Sequence, residues 1–454
     1  MKYNLKNGFS RRSFIRSSAA GIIGSVAAPM FLNGCSGNDG NERKLKNVDV
    51  TEILPTSPDG APLKAGLVGC GGRGTGAACD FISAGNGLQI TALGDVFQDK
   101  LDACRKTLEK KEQQIADENC FIGFDAYQKV IDSGVDIVLL CTPPVFRPSH
   151  FEYAVLNNKH CFIEKPCAVD PVGAKQIMVS GKRATQQKLS VISGTIRRSQ
   201  KDCIETYRRV AGGAIGEIVS AHVSRMSGAL WHINRRPEWN DMEYMLRNWV
   251  NFCWTSGDHI VEQFVHEIDQ MSWFTGDKNP VRAEATGGRQ RRVTGDMYDN
   301  FSVEYLYGDG HRAHCTTRQI DGCDNQTVVT VYGTKGYTNC YDTIYNLDGT
   351  VLWKYPHPKS GDSDQSMAVP NPFVQEHIRL VTAIRSKQPV NDVENHVRST
   401  LMAIMGREAA YSGKFVTWDN IMASTMKLGP ETYIFGSVPG IKEEIPLAGK
   451  ETKV

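Results

Sequence analysis

The sequence predicts an α/β domain built on a parallel sheet, followed by an α+β domain with an open, mostly antiparallel sheet. Three observations carry this fold class. A short apolar run from residue 64 ends in Gly69-Cys70-Gly71-Gly72-Arg73-Gly74, and behind it come an apolar-periodic helix and a second apolar run ending at Asp95. From there to residue 196, strand-like runs alternate with helical ones, as right-handed strand-helix-strand crossovers require. Beyond residue 197 the strands alternate apolar and polar residues, the pattern of a sheet with one face in water.

The first observation is a dinucleotide fingerprint. The first glycine, Gly69, permits a tight turn, Gly71 lets backbone approach a pyrophosphate, and Gly74 lets helix pack on strand; Gly72 and Arg73 complete the loop. Phosphate then meets unpaired N–H groups at a helix N-terminus. Asp95, about 20 residues on, is placed to accept from a ribose 2′-hydroxyl. No arginine follows it in Val96-Phe97, which favours NAD over NADP. A Gly-rich turn alone would say little, but here strand, glycines, helix, strand and terminal acid arrive in order.

Taken in order, the first domain continues with a charged helix over residues 99–118, a strand over 120–122, a helix over 127–133 and a strand over 135–141 that ends at Thr142-Pro143-Pro144. A helix over 148–157 leads to His160-Cys161-Phe162-Ile163, which delivers Glu164-Lys165-Pro166. A lysine at the carboxyl edge of a buried strand, near a cationic nicotinamide, has its ammonium form disfavoured by desolvation and like charge. It can therefore exchange a proton with a substrate hydroxyl. The strand at 190–196 closes this Rossmann-type domain, predicted to span 63–196, and residues 197–454 form the second domain.

The stretch TPPVFRPSHFEYAVLNNKHCFIEKP, in register behind VGCGGRG, resembles the Gfo/Idh/MocA oxidoreductases, named after glucose-fructose oxidoreductase and inositol dehydrogenase; NPFVQEHIRLVTAIRSKQPV resembles the family's late helix. The resemblance implies that Lys165 reaches the catalytic centre, that Glu164 and Thr142 line the nicotinamide side, and that His150 borders the site. Gly194-Thr195-Ile196-Arg197-Arg198 resembles the family's crossover, which implies that Arg198 or its neighbour approaches substrate. It also implies a homo-oligomer formed through the exposed sheet face.

In GDHIVEQFVHEID a helix would place His259, Glu262 and His266 at i, i+3 and i+7, on one face. His266 matches a family histidine, and Glu262 stands where the family carries an Asp. His266 is expected to contact the hydroxyl being oxidised, Glu262 to orient it or serve as a second base, and Lys165 to complete the relay. A His/Glu/His face could hold zinc, but nicotinamide supplies its own electron sink, so no metal is expected. Trp231, Arg247, Asn248, Trp249, Trp254 and Trp273 concentrate aromatic and polar groups around this segment, as a carbohydrate pocket does. Arg198, Trp231, Arg247, Trp249 and His259 are the expected substrate contacts. Strands are expected over 218–226, 281–286, 300–307, 312–319 and 327–332, a loop over 351–364, and helices over 372–385 and 396–413 that pack back near the first domain.

The 454 residues are 41% hydrophobic and 22% charged, enough for two cores, and the formal net charge of +2 gives no argument for nucleic acid or an anionic membrane as partner. Ser10-Arg11-Arg12-Ser13-Phe14-Ile15 resembles a twin-arginine export signal; the apolar stretch over 19–32 is too short for a confident membrane span. Leu32-Asn33-Gly34-Cys35 resembles a lipobox, which would make Cys35 a lipidated N-terminus. Residues 1–35 are thus read as an export signal and 36–62 as a linker. The protein is expected in the periplasm or on the membrane as a lipoprotein, anchored only by its lipid. A dinucleotide taken up before export would have to be retained, so tight NAD binding is expected. The 13 cysteines show neither a CxxC pair nor metal-finger spacing and read as free thiols.

These features lead to an exported NAD-dependent oxidoreductase acting on a secondary hydroxyl of a sugar, glycoside or polyol. The same residues also suit an NAD-dependent glycosidase, lyase or epimerase that oxidises transiently and recycles its cofactor. A non-catalytic sugar-binding protein that retains nucleotide is the third possibility.

Overall fold

The first strand, β1 (Leu63–Val68), stops at Gly69, whose φ of +96° is open to glycine and rarely to other residues. The computed structural model describes residues 52–360, 367–439 and 444–450; the export signal, the lipobox and most of the linker lie outside them. After β1 come α1 (Gly72–Ile82), β2 (Leu88–Asp95), α2 (Gln98–Glu109), β3 (Cys120–Ile122), α3 (Ala126–Asp132), β4 (Ile137–Leu140), α4 (Arg147–Leu156), β5 (His160–Ile163), α5 (Pro171–Gln186) and β6 (Val191–Ser193). The strands pair in parallel in the order β3-β2-β1-β4-β5-β6. Helices cover both faces, which is why β4 is buried at every position. The order reverses between β1 and β4, and a ligand crevice opens there at the carboxyl ends of the strands.

A 3-10 turn over Ile196–Ser199 carries the chain into the second domain. There α6 (Lys201–Ala211) precedes β7 (Ile218–Ser227), and α7 (Asp241–Arg247), α8 (Cys253–Ser256), α9 (His259–Glu262) and α10 (Val265–Phe274) follow it. Next come β8 (Arg282–Gly288), β9 (Asn300–Leu306), β10 (Arg312–Gln319), β11 (Gln326–Gly333), β12 (Gly336–Thr338), β13 (Thr343–Asn346) and β14 (Val351–Lys354). The chain continues with α11 (Pro372–Arg385), α12 (Val393–Ser412), β15 (Val416–Thr417) and α13 (Trp418–Ala423). The nine-stranded sheet runs β14-β13-β12-β11-β7-β10-β9-β8-β15, antiparallel throughout except for the β7–β10 pair. One face packs on α10 and α12 through Ile268, Met271, Leu401 and Ile404 against Val223, Val303 and Val331. α11 returns to the first domain, where Ile378 and Val381 join the core of Phe81 and Phe162.

Three elements differ from expectation. The helix from residue 99 ends at Glu109, because the chain turns at Glu112 (φ +61°) and Gln113 reaches back to the Ile90 N–H. The loop expected from residue 351 begins as β14, paired to β13 through a turn at Gly349, φ +86°. The helix expected through His259 and His266 is broken into α9 and α10. Each cysteine among the described residues is free.

Candidate active site

The glycine loop and Asp95 form the floor of a cavity of about 460 Å³ at the sheet's crevice. A Cβ on Gly74 would lie 1.8 Å from the Gly69 carbonyl oxygen, so this glycine is needed for close packing. A Cβ on Gly71 or Gly72 would project into open space, the room that a pyrophosphate takes up. The Asp95 carboxylate accepts from the Cys70 N–H at 2.7 Å and the Phe97 N–H at 2.9 Å, which fixes it at the rim. Burial raises its pKa against these two hydrogen bonds. A dinucleotide therefore fits: open backbone for the phosphates, a fixed acid for a ribose.

Thr142 and His150 line the same cavity. The His150 ring lies 4.1 Å from that of Tyr127 and 5.9 Å from that of Phe146, and burial, helped by Arg147, pushes its pKa down to about 3. A neutral imidazole thus faces the Thr142 hydroxyl at 3.4 Å.

β5 delivers Glu164 and Lys165 beside β4. Glu164 is buried; its carboxylate accepts from Arg73 Nε at 2.5 Å and from the Lys165 N–H at 2.9 Å. Arg73, also paired with Asp80 at 3.2 Å, is thereby tied to the end of β5. The Lys165 ammonium donates to Glu262 Oε1 at 2.9 Å and to the Glu262 carbonyl oxygen. That carbonyl lies where the expected helix breaks, so the interruption serves Lys165. Burial opposes ionisation of Glu262, but Lys165 and the Gln263 amide hold its pKa below the usual carboxylate range.

His266 opens α10 close by. Burial, reinforced by Lys165, Arg225, Arg197 and Arg73, pushes its pKa well below that of a free imidazole. Among the described residues its ring has no hydrogen-bond partner, so a neutral base is left for a hydroxyl. Lys165, Glu262 and His266 are thus brought together, beside Glu164 and the cavity of Thr142 and His150.

Other expected contacts lie elsewhere. His259 is 1% exposed; its Nδ1 lies 3.1 Å from Asp258 Oδ1 and 3.2 Å from the Tyr298 carbonyl oxygen, within the second-domain core. The helix break after Glu262 separates it from His266. Arg198 is held by Asp269 at 2.9 Å and Asp277 at 2.8 Å, so it braces the fold rather than meeting substrate. Trp231, Arg247 and Trp249 line the nucleotide cavity, because the end of α7 lies over the start of α2. Arg247 bridges Asp99 at 3.1 Å and Glu243 at 2.9 Å, with its guanidinium 4.0 Å from the Phe97 ring centroid. Trp254 and Trp273 are core residues.

Two charged groups near the site were not singled out from sequence. Arg225 pairs with Glu267 at 2.7 Å and with Gln263 at 3.1 Å. It shares a face of β7 with buried Ala221 and Val223, and a charge breaking that apolar row is the signal that marks it. Glu376, fully buried on α11, lies 4.0 Å from Arg73.

Two family models match the chain: the oxidoreductase family with an NAD-binding Rossmann fold over residues 63–193, and the GFO/IDH/MocA C-terminal domain over 205–339. Glycosyl hydrolase family 109 protein 2 of Shewanella sp. (strain ANA-3) is 24% identical over 315 residues, 67% of this chain and 65% of that protein. Inositol 2-dehydrogenase of Salmonella typhimurium is 24% identical over 218 residues, 47% of this chain and 55% of that protein. The chain thus spans roughly half to two thirds of these relatives. Among solved structures, the aldose-aldose oxidoreductase from Caulobacter crescentus superposes with a TM-score of 0.59 at 18% identity, covering 78% of this chain and 99% of that one. The scyllo-inositol dehydrogenase from Lactobacillus casei with bound NAD(H) and scyllo-inositol gives 0.58 at 20%, covering 78% and 99%. With both domain models matched in order on the two sheets described above, the chain belongs to the Gfo/Idh/MocA family of oxidoreductases.

Proposed function

We propose that the protein oxidises a secondary hydroxyl of a sugar, glycoside or polyol with NAD as hydride acceptor. The observation that carries this reading is the Lys165–Glu262 pair at 2.9 Å beside an unpartnered, neutral His266, next to a cavity that fits a dinucleotide. Bound nicotinamide supplies the chemistry of accepting the carbinol hydrogen as hydride. The chain's own residues do the rest. Gly71 and Gly72 leave room for the phosphates, and Asp95 accepts from the ribose. Lys165 Nζ, oriented by Glu262, donates to the substrate oxygen, while the His266 ring takes the hydroxyl proton. The inositol 2-dehydrogenase and scyllo-inositol dehydrogenase relatives support a polyol or sugar as substrate.

The glycosyl hydrolase relative favours a second reading, in which oxidation is transient and hydride returns after elimination or epimerisation. A cofactor retained through each cycle suits both that chemistry and the twin-arginine export with lipidation at Cys35 that we infer from the leader. Arg247, Trp231 and Trp249 over the nucleotide cavity support tight retention of NAD. Association of copies through the open face of the nine-stranded sheet belongs to the same proposal.

The test is mass spectrometry of nucleotide released from denatured protein, together with a sugar panel on the same preparation. Accumulating NADH supports the dehydrogenase; product without net NADH supports the closed cycle. Protein that carries and binds no nicotinamide nucleotide overturns both.

A further inference from the structure

Arg197 and Arg198 are neighbours in sequence with opposite fates. Arg198 spends its donors on Asp269 and Asp277. Arg197 is half-buried; its Nη1 donates to Gln200 Oε1 at 2.5 Å, and its guanidinium lies 4.9 Å from the centroid of the Tyr341 ring. Among the described residues it has no carboxylate partner, and its Nε and Nη2 have no protein acceptor, yet neither is sealed from solvent. Those two atoms form the guanidinium edge that matches a carboxylate. The Tyr341 loop is itself fixed, since the Tyr341 carbonyl oxygen accepts from Thr206 Oγ1 at 2.8 Å.

The place of this edge matters. The 3-10 turn that bears Arg197 packs on α10, the helix whose first turn carries His266. Around His266 the cations are otherwise matched: Lys165 by Glu262 and Arg225 by Glu267. Arg73, the fourth cation acting on His266, is paired with Glu164 and Asp80, so Arg197 is the one of the four without an ion pair among the described residues, and an oxidised nicotinamide ring would add another positive charge. A neutral polyol offers nothing to offset this excess, whereas a carboxylate does.

We propose that the substrate is an acidic sugar, a hexuronic acid or a glycoside bearing one, and that Arg197 binds its carboxylate. This rests on the oxidoreductase reading for the site but makes its own claim about recognition. The test uses the full, nucleotide-loaded protein, with binding of D-glucuronate, D-galacturonate and D-gluconate compared with glucose and galactose by calorimetry. Wild-type protein is expected to bind at least one acid about tenfold or more tighter than its neutral counterpart. Arg197→Ala is expected to remove that difference and Arg197→Lys to restore part of it. Arg197→Gln, which keeps a donor amide, serves as a second variant should the alanine variant fold poorly. Equal affinity for acid and neutral sugar, a preference that survives both the alanine and glutamine variants, or binding of no acid in the panel overturns the proposal. Binding is read without turnover. Protein that prefers the acid but reduces no nucleotide therefore overturns the oxidoreductase reading and not this one.

Discussion

Lys165 meets the first domain through its backbone and the second through its ammonium, so its side chain is aimed by groups from both. Lys165→Met is expected to lower kcat by a factor on the order of 10²–10⁴, the usual range for a lost acid-base group. Nucleotide measured by absorbance after denaturation should remain bound, because Lys165 holds none of the phosphate cradle. Glu376 calls for a different substitution. Burial, and then the Glu164 charge, push its pKa well above the carboxylate range against the pull of Arg73. Its charged form is thus disfavoured, and Glu376→Gln is expected to change unfolding free energy by less than about 1 kcal/mol in urea titration. At this scale the sequence was legible where chemistry is local, as in the glycine loop and Glu164-Lys165. It was not legible for Arg198, whose role is set by Asp269 and Asp277, about seventy or eighty positions away.

Among the elements, the loop between β1 and α1 separates glycines needed for packing from those that leave room for a ligand. Gly71→Ala is expected to fold like wild type and to bind NAD about tenfold or more weakly in equilibrium dialysis, since its Cβ enters only the ligand's space. Gly74→Ala, with its Cβ 1.8 Å from a carbonyl oxygen, is expected to lower the melting temperature itself. α7 supplies a further test. Arg247→Ala removes the bridge to Asp99 and is expected to speed nucleotide loss in repeated ultrafiltration about tenfold. Most helices and strands were legible from period and turn residues. The break between α9 and α10 was not, because the Glu262 carbonyl is engaged by a lysine from another domain. A period of 3.6 residues continues across such a break, so His259 was placed on a face that does not form.

The whole molecule buries imidazoles in number. His150, His377 and His396 are each pushed down to about 3, by burial first and then by Arg147 for His150 and His396 and by Arg73 for His377. Unfolded, each would titrate near 6.5. Below that pH the unfolded chain holds protons that the folded one refuses, so stability is lost as pH falls. The slope is about 1.4 kcal/mol per pH unit for each histidine. Glu376, whose pKa is raised, works the other way above 4.5. The urea midpoint is therefore expected to fall steeply between pH 6 and 5.

Arg73 joins the glycine loop to Glu164, and Glu164 joins in turn to the backbone of Lys165. A shift in the glycine loop is thereby transmitted to Lys165, the group proposed to meet the substrate. In thermodynamic terms the two ligands share a coupling free energy, and linkage makes it reciprocal. Under the proposed function, whatever factor nucleotide changes the affinity for substrate by, substrate must change the affinity for nucleotide by the same factor.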